Sequence, residues 1–213
     1  MSSKTSLACS SRPAGLPCCS RASSVVRVFL AMPNGRQMAM VTPTAAHPEN
    51  SPDELVEEVD SLGTVLRLVT RRQMRAEALW HRAVFIAVRS STGQLLIHQR
   101  AMTKDVWPGW WDVAVGGVVS PGESWEQAAE RELAEELGVS GVELRPLGTG
   151  AYRDNEVKLV AACFEAVCDG PFRYSDGEII ETQWVALKDL GSRITQDSFL
   201  PDSIALILPR IGL

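Results

Sequence analysis

The first 48 residues contain no aspartate or glutamate, although the full chain of 213 residues has 26 acidic residues. That stretch carries Lys4, Arg12, Arg21, Arg27 and Arg36 with eight serines. It also lacks the apolar core of a secretory signal. A Ser- and Arg-rich, acid-free leader fits an organelle transit peptide over residues 1–48. Its many Ser and Ala point to a plastid before a mitochondrion, and the chain stays cytoplasmic if the leader carries no address. Long apolar runs are missing too. The longest, such as Val84–Val88 and Ile204–Leu208, are far short of a membrane span. No CxxC or Cys/His spacing offers a zinc site. Three of the five cysteines, Cys9, Cys18 and Cys19, lie in the leader, and Cys163 and Cys168 read as ordinary strand residues of a reducing compartment. The net charge of −5 gives no excess of positive charge for DNA.

What is present is ordinary globular composition, 45% hydrophobic and 22% charged. Residues 49–59, with Pro52 and a rising acid count, read as a linker, and the folded domain is expected over 60–213. Thr64–Val69 is rich in β-formers and Arg71–Leu79 suits a short helix. Arg82–Arg89 reads as a buried strand. The Thr92-Gly93 turn then leads to a second strand, Leu95–Arg100, so 82–100 is a hairpin candidate. Thr103–Trp110 is a loop, and Trp111–Val119 the next strand. Further strands are expected at Glu143–Tyr152, Val157–Val167 and Glu178–Leu187. A short turn follows at Lys188-Asp189-Leu190, and a C-terminal helix at Pro201–Leu208. That is a mixed sheet flanked by helices, an α/β/α layered domain. No internal repeat is present.

The stretch Gly117–Val139 reads GVVSPGESWEQAAERELAEELGV. Ser124 and Gln127 form a capping-box pattern, and Gly138 sits where a helix ends in a left-handed residue, so a helix is expected over Ser124–Leu137. At about 100° per residue, Glu132, Glu135 and Glu136 share one face beside the apolar arc of Ala129, Leu133 and Leu137. Like charges at this spacing repel. Either salt bridges solvate the face, or a hard cation such as Mg²⁺ or Mn²⁺ lies before it. Nearby, Arg100 and Lys104 are four residues apart and could clamp a diphosphate. Trp107, Trp110 and Trp111 cluster in the preceding loop. They either anchor the loop or form a pocket wall, with Trp110 a candidate substrate contact.

Gly117, Glu123, Arg131-Glu132-Leu133, Glu135-Glu136 and Gly138-Val139 at these spacings resemble the Nudix box at every fixed position. The resemblance implies the Nudix fold, an α/β/α sandwich with a mixed sheet, and Mg²⁺- or Mn²⁺-dependent hydrolysis of a diphosphate linkage. It implies that Glu132, Glu135 and Glu136 hold the ions, joined by the Gly117 carbonyl. Glu123 and Arg131 match a pair that braces loop against helix, with direct catalysis the alternative for Glu123. The general base is Glu132 or a later carboxylate, for which Glu178 and Glu181 are the candidates. The partner is a small-molecule diphosphate, and homodimerisation is left open. Two other readings stand. One is a non-catalytic nucleotide sensor, which would have no need of the full carboxylate set. The other is isopentenyl diphosphate isomerase, resembled by His81, the following strand and LLIHQRAMTKDVWPGWWD; that would draw residues 60–81 into the domain. The isomerase's proton-transferring Cys and metal-binding His match Val115 and Gly117 here, neither of which can do that chemistry.

Overall fold

A computed structural model describes residues 51–213 and the backbone of a two-residue strand, β1 (Gln37–Met38). Apart from those two residues, the leader, its three cysteines included, falls outside the described residues. The strands are β2 (Leu55–Val59), β3 (Val65–Thr70), β4 (Trp80–Arg89), β5 (Leu95–Arg100), β6 (Trp111–Asp112), β7 (Leu144–Arg153), β8 (Lys158–Val167) and β9 (Ile179–Val185). The helices are α1 (Arg71–Ala76), α2 (Trp125–Leu137), α3 (Leu187–Gln196) and α4 (Pro201–Ile207), closed by a 3₁₀ turn at Leu208–Arg210.

β4 organises the sheet. Its side chains alternate between two cores. Ala83, Phe85 and Ala87 pack with Leu190 of α3 and with Leu206 and Ile207 of α4. Val84, Ile86 and Val88 pack with Ala128, Ala129, Leu133 and Leu137 of α2. Helices therefore cover both faces, which makes the α/β/α sandwich. A strand apolar on both faces suits parallel pairing in a sheet interior. β4 pairs in parallel with β8 along its whole length, Trp80 against Lys158 to Arg89 against Val167.

That pairing opens the expected hairpin over 82–100. The turn does form, with Gly93 at φ 84° and its N–H donating to Ser90 O at 2.9 Å. β4 and β5 then match only at Arg89 and Leu95. Beyond that point β5 runs antiparallel to β9 and meets β6 at His98 and Gln99. The chain after β6 fills the gap, touching β4 through single bridges at Val115–Ile86 and Val118–Ala83. The expected strand Trp111–Val119 is thus regular only at Trp111–Asp112. Gly116 shows why the backbone can come so close there, because a Cβ would stand 1.9 Å from Val84 O.

Two more expectations change. Residues 55–59, read as linker, form β2, with Val56 and Val59 each 1% exposed. The acids that suggested a solvated linker have partners instead, Glu57 with Arg82 and Glu58 with Arg67. Lys188-Asp189-Leu190 is not an isolated turn but belongs to α3, whose buried Leu190 and packed Leu187 and Ile194 share a helical stripe.

α1, β2 and β3 join the domain through a small third core, in which Met74, Val56 and Val69 pack on Val118. Met74 is 1% exposed. Met74→Ala is expected to lower unfolding free energy by about 2–5 kcal/mol, read by chemical denaturation as a single transition. A loss near zero would show that the N-terminal hairpin is not part of the cooperative unit.

Candidate active site

α2 begins as its sequence dictates. Ser124 Oγ accepts from Gln127 N and the Gln127 side chain accepts from Ser124 N. Gly138 ends the helix at φ 67°, and Ala129, Leu133 and Leu137 pin the inner face. Glu132 and Glu136 are thereby held in buried positions, with Glu135 half-buried beside them.

Arg131 holds this group together. Its Nε and Nη2 donate to the two Glu123 oxygens, each at 3.0 Å. Its Nη1 donates to Glu132 Oε1 at 2.9 Å and to Glu135 Oε2 at 3.2 Å. Nη2 also reaches Val118 O at 3.2 Å, tying helix to loop. Burial alone would lower the Arg131 pKa, but Glu123 and Glu132 raise it above the ordinary value. Burial would likewise raise Glu123, yet the Arg131 and Ser120 N–H bonds hold it below the usual carboxylate range. Glu132 is pushed up to about 7 by burial, against the pull of Arg131. Burial also raises Glu136 well above its ordinary value; Lys104 opposes this, and Glu178, Glu132 and Asp176 add to it.

The box loop has a further brace from outside the box. Glu57 of β2 accepts from Gly122 N at 3.0 Å through Oε1 and from Arg82 Nη1 at 3.1 Å through Oε2. The Arg82 guanidinium lies over the Trp125 ring, 4.1 Å from its centroid.

A cavity of about 110 Å³ opens in the gap where β4 and β5 diverge. Gly117, Arg131, Glu132 and Glu135 line one part of it, and Arg100, Lys104 and Glu178 another. Lys104 Nζ contacts Glu178 Oε2 directly. The structure thus brings these seven expected residues to one space. Glu123 adjoins it through Arg131, and Glu136 lies within the electrostatic reach of Lys104. Glu181 does not line it, being paired along β9 with Gln99 of β5. Nor does Trp110, which stacks on Trp107 with centroids 6.4 Å apart. Trp107 is the tryptophan on the wall. Its φ of 48° is left-handed, a strained state for so bulky a residue.

The residues fit a hard divalent ion. All the donors are oxygens. Glu136 Oε2 is buried with no hydrogen-bond partner, a costly state for a carboxylate that no cation completes. A Cβ at Gly117 would lie 2.3 Å from Glu132 Oε1, so only glycine leaves the carboxylate its place. Glu132 and Glu135 are turned toward Arg131, and among the described residues no three His, Cys, Asp or Glu groups converge as a metal cage.

Several cavity residues were not foreseen from sequence. They are Arg71 and Arg75 of α1, Asp112 of β6, Asp176, and Asp202 of α4. Arg71 and Arg75 stand one helical turn apart, and Asp112 interrupts an apolar run; both signals were readable. Burial raises Asp202 to about 7, helped by Asp112. Its folded pKa lies above the unfolded value, so the folded state keeps a proton that the unfolded chain loses first. Stability should therefore fall as pH rises from about 4 through about 7. Asp202→Asn keeps the acceptor for Ser203 N and removes the titration, so its melting temperature should fall less over that window. Parallel melting curves for both proteins would show the carboxyl is not raised.

The NUDIX domain family matches residues 79–206. The chain is 36% identical over 151 residues to YfcD of Escherichia coli K12, an uncharacterized Nudix hydrolase, covering 71% of this chain and 83% of that protein. It is 35% identical over 159 residues to the uncharacterized Nudix hydrolase PA4841 of Pseudomonas aeruginosa, covering 75% and 94%. The crystal structure of DR0079 from Deinococcus radiodurans superposes with a TM-score of 0.64 at 28% identity, over 75% of this chain and all of that one.

Proposed function

The chain belongs to the Nudix hydrolase family, and from that premise we propose that it hydrolyses a diphosphate linkage of a small organic or nucleoside diphosphate with Mg²⁺ or Mn²⁺. The observation that carries this reading is the buried carboxylate set of α2, with Glu136 Oε2 lacking a partner. Glu132, Glu135 and Glu136 would hold the ion, with the Gly117 carbonyl beside them. The ion supplies charge neutralisation and a more acidic water.

The protein's own groups account for the rest. Water oxygen forms a bond to one phosphorus, and the bridging P–O bond breaks. The leaving phosphate carries away the bond's electron pair. The water proton passes to a carboxylate at the cavity, Glu132 or Glu178. Glu178 is held in place by Lys104. Arg131 fixes Glu132 and Glu135 against the loop, and Lys104 offsets the negative charge of the diphosphate. His81, the residue behind the isomerase resemblance, is buried, and its pKa is lowered to about 3 by that burial and by Arg75. Its Nδ1 lies 3.1 Å from Leu79 O, so a neutral ring donates there and the residue serves the fold.

The test is a panel of diphosphates, isopentenyl diphosphate included, incubated with Mg²⁺ or Mn²⁺. Hydrolysis should stop on EDTA addition. Glu136→Gln should lower turnover by about 10²-fold or more, the scale of losing a principal electrostatic group. Activity that survives EDTA, or a near wild-type Glu136→Gln, overturns the reading. Formation of dimethylallyl diphosphate without hydrolysis of any compound would favour the isomerase. Tight nucleotide binding with no turnover would favour the sensor.

A further inference from the structure

The cavity is lined by more cations than the diphosphate chemistry uses. Three of them are engaged by carboxylates. Arg131 holds its glutamates, Lys104 contacts Glu178, and Arg71 Nε donates to Glu54 at 2.6 Å. Arg75 and Arg100 differ. Arg75 reaches no closer to a carboxylate than 4.0 Å, at Asp105, too far for a hydrogen bond. Arg100 donates through Nη2 to Val106 O at 3.3 Å. The Nε atoms of both are shielded from solvent and have no partner among the described residues. Arg75 is pulled down to about 10, first by burial and then by Arg71, with Asp105 opposing. Three further carboxyls line the same space and accept hydrogen bonds from backbone amides, Asp112 from Ala114 N, Asp176 from Glu178 N and Asp202 from Ser203 N, and the charge of Arg100 favours ionised Asp112 and Asp202.

A guanidinium Nε–H shielded from water with no acceptor is costly, and an anion that reaches it reduces the cost. We propose that Arg75 and Arg100 form a phosphoryl-binding subsite on the α1 and β5 wall of the cavity. This deepens the reading above and rests on it for the placement of the scissile diphosphate at α2. Each guanidinium has five N–H donors. Arg100 commits one to Val106 O, and Arg75 forms no hydrogen bond among the described residues. A phosphoryl group with three terminal oxygens can take up more of these donors than a two-oxygen carboxylate. The space is small. At about 110 Å³ it falls well below the roughly 300–1,000 Å³ of sites for drug-sized ligands. The substrate class that follows is a compact diphosphate bearing a further terminal phosphoryl group, with no bulky base buried at this wall.

The experiment uses the full chain in EDTA and titrates inorganic phosphate, with acetate as the carboxylate arm. Binding is read by thermal shift and by the arginine Nε–H resonances in NMR. Wild type should bind phosphate and shift two such resonances. Arg75→Gln and Arg100→Gln should each weaken phosphate binding by about 10-fold or more, the scale of a lost charge-assisted hydrogen bond. Arg72→Gln is the control: it removes a neighbouring charge on α1 that is largely exposed and paired with Asp53, and it should leave phosphate binding unchanged. Unshifted wild-type resonances, undiminished phosphate binding in both cavity variants, or acetate bound as tightly as phosphate overturns the subsite. Because no metal and no turnover enter this measurement, failure of the hydrolase reading would appear separately, as an inactive diphosphate panel beside an intact phosphate response.

Discussion

Arg131 is the group on which the arrangement of this site depends. One guanidinium joins the loop, through Glu123 and Val118 O, to the helix, through Glu132 and Glu135. Without a cation at that point, several carboxylates would face one another in a region from which water is largely withdrawn. Their repulsion would turn the side chains outward or hold them protonated. The internal ion keeps them charged in part, buried and oriented. Its fork geometry matters as much as its charge, since two parallel bonds to Glu123 fix the angle between loop and helix. Lysine could supply charge there but not that geometry.

The second constraint is topological. β4 is apolar on both faces and is claimed along its whole length by β8. β5 must therefore find its partner in β9, and the two strands separate after one matched pair. The chain between β6 and α2 enters the opening, and the glycines at 116 and 117 let it approach Val84 O and Glu132. A cavity results in the middle of a layered domain, lined by residues from strands, from α1, α2 and α4, and from the loops between them. The tight core on each face holds those residues at fixed spacing.

The helix was legible because its signals are local. Ser124, Gln127, Gly138 and the apolar arc lie within a few turns, and the carboxylate spacing follows from helical period alone. β4 was legible as a buried strand for the same reason. Its partner was not, since register with β8 is decided by residues some eighty positions away. The hairpin expected at 82–100 rested on a real turn, but turn chemistry says nothing of what happens beyond the first pair. β2 was misread because acids in a short segment look solvated until their partners, Arg82 and Arg67, are known. The carboxylate face could be read from α2, whereas the meeting of Arg75, Arg100, Asp112 and Asp202 could not. Those four come from α1, β5, β6 and α4, and only the folded chain brings them to one space.

Glu57 has a consequence for where this domain begins. The NUDIX family match begins at Leu79, but the amide of Gly122 is satisfied by a carboxylate of β2, upstream of that border. The box loop thus contains a socket that residues 79–206 alone do not fill. The border of the family match and the border of mechanical completeness therefore differ. A gene fragment cut at Leu79 would encode the whole box yet leave a loop amide without its acceptor.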